Sequence, residues 1–515
     1  MSKSENCTNM SVYWRHEARY LRPLSLIGKQ NRLGFVHIVN LIIYRLLVGW
    51  KEESAVRVRI QLATIRHFRN VSFGEIRFPC NMASDIFSMK SDVLGIYGQN
   101  GSGKTTFIDV LQVLKCLLSG VPIRDHLENC ISKGHDRAEL SFEFSIEDDQ
   151  GYKFRAVYSA QMGLDYLNES VKASIFQSGE WSRMNPIMES CSTDTKVLLT
   201  PDTKKRELFS KDPQILDELR VTKRLCAKEH RSFLFSSELF ALLQEGSGHT
   251  LWYHMLAAIR HFAGASLFVI NNRGANLNSF GSKLPVIYRM DRSLGQLELP
   301  LDQPAIIPAT EFLIAKEVIE TINVVLREVI PGMEIELAPL GKEFTEHGGI
   351  GIQAQLVRII SNPETNEAIR LPLKYESEGI KKIISILHLF ICAYNSPGIT
   401  LAIDELDSGI YEYLLGELLQ VMQNSGLGQL IFTSHNLRPL EMLNSSSIIF
   451  TTTNPERRYV RASNIKPSNN LRLRYFRDIT LGSDGEELYQ ETNSIEIAHA
   501  MRKIGIPSAD KVEDR

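Results

Sequence analysis

Paired cysteines are the first thing this chain lacks. Its seven cysteines (Cys7, Cys80, Cys116, Cys130, Cys191, Cys226 and Cys392) are scattered, and no two form a C-x-x-C pair. An odd, dispersed set excludes a disulfide framework and a zinc finger, and it fits reduced thiols in a cytoplasmic protein. A net charge is nearly missing too: 58 Lys and Arg stand against 60 Asp and Glu, leaving −2. That balance excludes a chain that is a polycation over its whole surface, and leaves a local basic face open. No apolar run is long and clean enough to span a bilayer. The most apolar segment, Leu33 to Trp50, is broken by His37, Asn40 and Arg45, whereas a spanning helix needs ~20 mostly apolar residues. It is expected to pack on the protein or on a partner, and the polar leader before it is unlike a secretory signal. No repeat period and no sustained heptad pattern occurs, which excludes solenoids and long coiled coils. There is no H-N-H pattern, no Cys/His cluster, and no D-x-D pair after His435. No cutting centre of those kinds is expected.

What remains is an ordinary globular composition, 43% hydrophobic and 23% charged over 515 residues. It allows a large core and about two to four domains. Within it one stretch carries chemistry on its face: "GQNGSGKTT", Gly98 to Thr106. The spacing Gly98, four residues, Gly103, Lys104, Thr105 satisfies the phosphate-loop pattern G-x-x-x-x-G-K-S/T. The apolar "DVLGIY" before it predicts a buried strand. The periodic "FIDVLQVLKCLL" after it predicts a helix. In that context Asn100, Gly101, Ser102 and Gly103 turn backbone N–H groups around phosphates, and the helix N-terminus adds positive potential. Lys104 is expected on the β- and γ-phosphates and the Thr105 hydroxyl on Mg²⁺. The run from Gly98 through Thr106 is the expected nucleotide cradle.

Three later stretches complete a site. "GITLAIDELDSG" is an apolar strand ending in Asp404 and Glu405. A carboxylate beside the loop strand suits the Mg²⁺ shell, because the cation is hard. A second carboxylate suits the orientation and deprotonation of an attacking water, a poor nucleophile. "GQLIFTSHN" is another apolar strand, and it ends at His435, a position from which an imidazole can report a γ-phosphate. In "YESEGIKKIISIL", Ser377 and Gly379 open an apolar-periodic helix. Ser377 can cap that helix, leaving N–H groups for an anion.

The rest of the chain reads as alternating strand and helix. "VRVRIQLATIRHFRNVSFGEIRF" predicts two strands joined near His67 to Asn70, and "RAELSFEFSIEDDQGYKFRAVYSA" a hairpin turning at "EDDQG". Charged helical patterns follow from about Thr200 to His261. "ASLFVINN" predicts a strand, "ATEFLIAKEVIETINVVLREVI" an amphipathic helix, and "MEIELAPL" and "GIGIQAQLVRII" strands. Five regions result. Residues 1–54 form an extension without a functional reading. Residues 55–165 form a first lobe with the phosphate loop, and 166–350 a mainly helical insertion or arm. Residues 351–455 form a second lobe with the remaining motifs, and 456–515 a tail.

The order phosphate loop, Ser-x-Gly helix start, "IDELDSG", "FTSHN" resembles the ABC-type ATPases. More closely it resembles the RecF/SMC-related ATPases without long coiled coils, and among them the prokaryotic defence ATPases of the OLD-like, abortive-infection, Septu and PARIS type. The resemblance covers about Val56 to Phe450. It implies an α/β fold: a P-loop NTPase of ABC type with a mixed sheet, flanking helices, an antiparallel β-subdomain and a helical insertion. It implies ATP and Mg²⁺ as cofactors. Lys104 and Thr105 match the Walker A residues, Asp404 and Glu405 the Walker B pair, and Asp407 the D-loop. His435 matches the switch histidine. Ser377 and Gly379 match the signature motif, which in this family meets the γ-phosphate of a second subunit. Arg69, in "HFRN", matches a basic position near the phosphates, and Gln161 is the best match to the metal-contacting Q-loop. The signature reads Ser-Glu-Gly in place of Ser-Gly-Gly, which narrows the backbone nest. A TOPRIM nuclease domain like that of the OLD enzymes is expected to be missing. The implied function is an ATPase that dimerises around ATP and controls a separate effector, a nuclease or toxin encoded nearby, in antiphage defence. A repair or maintenance ATPase acting on DNA and an ATP-held scaffold with little turnover are the alternatives.

Overall fold

The computed structural model describes residues 56–504 apart from short internal stretches, the longer ones being 192–197, 200–212, 272–281, 362–367 and 462–470. The chain divides after Glu53, and all that follows concerns the second unit. The 1–54 extension and the Leu33–Trp50 segment lie outside the described residues.

The first lobe begins with a turn that sequence alone locates. Strand β1 (Arg57–Phe68) pairs antiparallel with β2 (Val71–Arg77), and His67 and Arg69 both take left-handed backbone at φ 52 to reverse the chain. After β3 (Asp92–Tyr97) the sheet continues through β4 (Arg137–Glu147), β5 (Lys153–Gly163) and β6 (Leu167–Gln177). The short β7 (Glu180–Trp181), β8 (Asn185–Ser190) and β9 (Leu198–Leu199) finish it, in the order β2-β1-β4-β5-β6-β8-β9 with β7 on β6.

A second sheet carries the loop strand. Its order is β10 (Leu267–Ile270), β17 (Thr400–Ile403), β18 (Gln429–Thr433), β3, β19 (Ile448–Thr451) and β20 (Tyr459–Val460). All neighbours run parallel except β20. Its strands read as unbroken apolar runs because both faces are covered. Leu94, Ile96, Ala402 and Ile431 face one core, with helix α1 (Lys104–Ser119) and the inner face of the antiparallel sheet. Val93, Tyr97, Leu401, Ile403 and Phe432 face the other. There α6 (Glu378–Asn395) supplies Ile383, Ile386 and Phe390, and α7 (Glu412–Ser425) supplies Leu415 and Leu419. Residues two apart share a face and successive residues alternate, so each strand feeds two cores.

Residues 166–350 depart from the expected, mainly helical, arm. They contain α2 (Pro213–Lys228), α3 (Ser237–Ser247), α4 (Leu251–His261) and α5 (Ala309–Val329). Strands share the segment. The hairpin β11 (Lys283–Met290) with β12 (Ser293–Pro300) is one pair, and β13 (Ala305–Pro308) and β14 (Ile335–Phe344) flank β15 (Ile350–Ser361), which also pairs β16 (Ala368–Pro372). The hairpin is held by the core it covers. Val286 is fully buried, and the Ile287 carbonyl bonds His388 of α6 at 3.1 Å. The chain ends its described part with α8 (Leu471–Leu481) and α9 (Ser494–Ile504). Among the described residues no helix is long and apolar enough to cross a membrane.

Candidate functional site

The phosphate loop leaves β3 at Tyr97 and enters α1 at Lys104. Gly101 and Gly103 take φ of 79 and 99, and no side chain caps the helix. The turn thus delivers an uncapped, 16-residue helix N-terminus to one spot, the arrangement that favours an anion. Gly98 is required by a close approach, since an added Cβ would overlap the Thr451 hydroxyl. The Lys104 ammonium folds over the loop and donates to the Gly98 and Gln99 carbonyls at 2.9 and 3.0 Å. Burial lowers its pKa, and Asp404, Glu405 and Asp407 oppose that shift.

Asp404 is buried at the end of β17, and its Oδ1 accepts from the Thr105 hydroxyl at 3.3 Å. The expectation that its strand lies beside the loop strand is corrected: β18 stands between β17 and β3. The intervening strand adds Thr433, whose hydroxyl donates to Asp404 Oδ1 at 2.6 Å and accepts the Glu405 N–H at 2.7 Å. Glu405 is half-buried and left-handed at φ 47, a strained conformation for a non-glycine residue of the sort that collects at functional sites. Its backbone is held at the other end as well, where the carbonyl accepts from Ser408 N at 3.0 Å and Lys382 Nζ at 2.6 Å. Thr105 and Asp404 together offer hard oxygen donors of the kind a small divalent cation takes while keeping water and phosphate oxygens as its other ligands. These residues fit Mg²⁺.

Ser377 is the N-cap of α6, accepting from Ile380 N at 3.4 Å. Ser377 and Glu378 are exposed. Gly379 has no room for a side chain, because a Cβ would overlap the Gly409 carbonyl. Asp407 Oδ2 accepts the backbone N–H groups of His435 and Asn436, both at 3.0 Å. It fixes the exposed His435 at the end of β18. The imidazole pKa is lowered, first by desolvation and then by Lys104. Lys382 is buried, and desolvation brings its pKa down to about 8 against the pull of Asp407, Glu405 and Asp404.

Three expected site residues have their side chains engaged elsewhere. Arg69 pairs with Asp109 of α1. The Thr106 hydroxyl donates to Asn70 Oδ1 at 2.8 Å. Gln161 lies on β5, where its amide donates to Glu139 of the neighbouring strand at 3.3 Å. The antiparallel ladder places it there, and that bond runs across the sheet, not to Thr105 or Asp404. Other residues that pattern reading did not single out do reach the loop. Asn70 donates to the Gly101 carbonyl at 2.6 Å, Tyr459 donates to the Gly103 carbonyl at 2.8 Å, and the Ser102 and Thr451 hydroxyls bond one another. Arg458 ties Asn70 O and Thr452 O together, both at 2.6 Å. The neighbouring "HFRN" turn gave a hint of Asn70. Thr451, Arg458 and Tyr459 come from far along the chain and leave no local signal.

The loop strand, the acidic strand end and the switch strand now stand in one parallel sheet, with an antiparallel subdomain covering α1. The architecture is α/β: a parallel sheet with flanking helices, a phosphate-loop turn at the end of its β3, and an antiparallel β-subdomain. No family model matches the chain, and no curated protein matches it. Solved structures do. The chain is similar to an SMC head bound to the C-terminal winged-helix domain of ScpA, at 14% identity over 78% of this chain and 96% of that one, with a TM-score of 0.36. It is similar to the SMC head domain from Thermotoga maritima at 13% identity, over 79% of this chain and 100% of that one, with a TM-score of 0.32. The recombination mediator RecF with ATP gives 11% identity over 73% and 92%, with a TM-score of 0.31.

Proposed function

We propose that this chain binds ATP with Mg²⁺ and hydrolyses it, that two copies complete each other's sites, and that the cycle governs a separate effector in defence against phage. One observation carries the ATPase reading. The Thr105 hydroxyl, in the first turn of an uncapped helix, lies 3.3 Å from the Asp404 carboxylate, and the Lys104 ammonium folds over the loop. In this reading the loop N–H groups and Lys104 hold the phosphates, and Thr105 and Asp404 hold the cation. Bound Mg²⁺ neutralises charge on the β- and γ-phosphate oxygens. Glu405 orients the water and takes its proton as the water oxygen joins the γ-phosphorus and the bond to the bridging oxygen breaks. His435, whose backbone N–H is held by Asp407, is read as the residue that meets the γ-phosphate.

Lys104→Ala is expected to abolish nucleotide binding, measured with a fluorescent ATP analogue; unchanged affinity would sink the assignment. Glu405→Gln keeps the shape and removes the base. It is expected to retain ATP and to hydrolyse it ~10²-fold or more slowly. Near-normal turnover in that variant would move the base role to another residue. The effector reading is supported by the motif resemblance. Its test is phage challenge of bacteria carrying this chain alone or with its neighbouring genes, where full protection from the chain alone overturns a two-component scheme.

A further inference from the structure

Helix α6 meets the acidic strand end through one face. Gly379 and Lys382 are three residues apart and so lie on the same side of the helix. Gly379 abuts the Gly409 carbonyl, and Lys382 Nζ donates to the Glu405 carbonyl at 2.6 Å. These two contacts grip the turn Glu405 to Gly409 at both ends. The turn is further closed by Ser408 N to Glu405 O at 3.0 Å. Lys381, next along the helix, points elsewhere and pairs with Glu378 at 2.6 Å and Asp302 at 3.2 Å. The two adjacent lysines therefore do different things. Both side chains are buried; Lys381 makes ion pairs with exposed carboxylates, and Lys382 bonds a backbone carbonyl. A buried ammonium is costly unless it is held. Here Lys382 holds Glu405, whose backbone is left-handed although it is not a glycine.

We propose that Lys382 is a positioning residue for hydrolysis: it fixes the Glu405 backbone, and it makes the placement of that carboxylate depend on where the N-terminus of α6 stands. The inference rests on the ATPase reading above. The same helix start carries Ser377 and Gly379, the residues proposed to meet the nucleotide of a second copy. A shift of α6 on pairing thus reaches Glu405 of its own chain through the Lys382 hydrogen bond, with no change needed in the nucleotide cradle.

The test compares Lys382→Met, Lys382→Arg and the unchanged full chain. Met keeps the length and the apolar stem and removes the donor; Arg restores a donor. Lys382→Met is expected to lower kcat ~10- to 100-fold, as a displaced catalytic group does, with the KM for ATP within about twofold. Lys382→Arg is expected to recover a large part of kcat. Amide exchange without nucleotide supplies a second readout: residues 404–410 are expected to exchange faster in Lys382→Met while the phosphate loop is unaltered. Normal kcat in Lys382→Met overturns the proposal even if exchange rises, since the bond is then structural only. Unaltered exchange at 404–410 overturns it as well. If the unchanged chain itself binds and hydrolyses no ATP, the ATPase reading fails, and the exchange comparison still decides whether Lys382 holds the turn.

Discussion

Thr433 joins the two carboxylate residues of the site with one hydroxyl, donating to Asp404 and accepting from Glu405 N–H. Thr433→Val preserves the shape and strips both bonds. It leaves a buried carboxylate oxygen short of a donor and an N–H short of an acceptor, at a cost of about 1–3 kcal/mol. Urea unfolding should register that loss, and turnover should fall more than nucleotide affinity. A Val variant with unchanged stability would mean the hydroxyl is not shared in this way. His388 makes a pH-dependent contribution at the same scale. Its ring is buried on α6, and desolvation lowers its pKa from 6.5 to about 4, so the folded ring stays neutral where the unfolded ring is charged. The unfolded state binds the extra proton. The contribution is whole above pH 6.5 and is lost as pH falls toward 4, a change of roughly 3 kcal/mol. Urea unfolding at several pH values should show a steeper decline below 6.5 for the unchanged chain than for His388→Gln, and equal slopes would count against it.

At the scale of elements, the phosphate loop is braced from behind by β19 and β20. Thr451 meets Ser102 and the space over Gly98, Tyr459 reaches the Gly103 carbonyl, and the Tyr459 ring lies 6.2 Å from that of Phe107 on α1. Gly98→Ala forces the loop and β19 apart and is expected to lose nucleotide binding while the fold survives, as checked by circular dichroism and analogue titration. Tyr459→Phe removes one hydrogen bond and keeps the ring, so it should cost about 1 kcal/mol of stability. Retained nucleotide affinity in Gly98→Ala would show that the loop can yield. This brace was not legible beforehand, since β20 is two residues long and its meaning lies in what it touches. The turn at His67 to Asn70 and the hairpin β4–β5 were legible, because their turn residues and alternation are local.

For the whole molecule, the exposed Ser377 opens α6, whose Gly379 abuts Gly409, and the exposed His435 at the end of β18 is held by Asp407, so both adjoin the segment 407–409. If two copies share sites, Ser377→Arg should leave ATP binding largely intact and remove hydrolysis, because the bulk falls on the neighbour's nucleotide. Mixing it with Lys104→Ala chains should restore at most one composite site per pair. Normal hydrolysis by Ser377→Arg at every protein concentration would show that the sites are not shared.

By itself the sequence determined the local chemistry. Glycines at the spacing of the phosphate loop, apolar runs ending in Asp404 and in Thr433, and a capped helix at Ser377 each follow from neighbours a few residues apart, where backbone freedom and periodicity act. Their order along the chain carries the resemblance by which they are grouped into one expected site. Only the tertiary structure decided what lies between and behind them. It placed β18 between the loop strand and Asp404, and so put Thr433 at the centre. It turned Arg69 to Asp109 and left Gln161 on an outer ladder. It filled 166–350 with strands as well as helices, because β11 and β12 find a core on α6 that no periodicity in their own residues announces. It separated Lys381 from Lys382, two identical and equally buried side chains one step apart on a helix, by setting one against the Glu405 carbonyl and pairing the other with Glu378 and Asp302. A helix turns about 100° per residue, so neighbours in sequence become strangers in space, and which lysine meets the Glu405 turn is settled only when α6 packs.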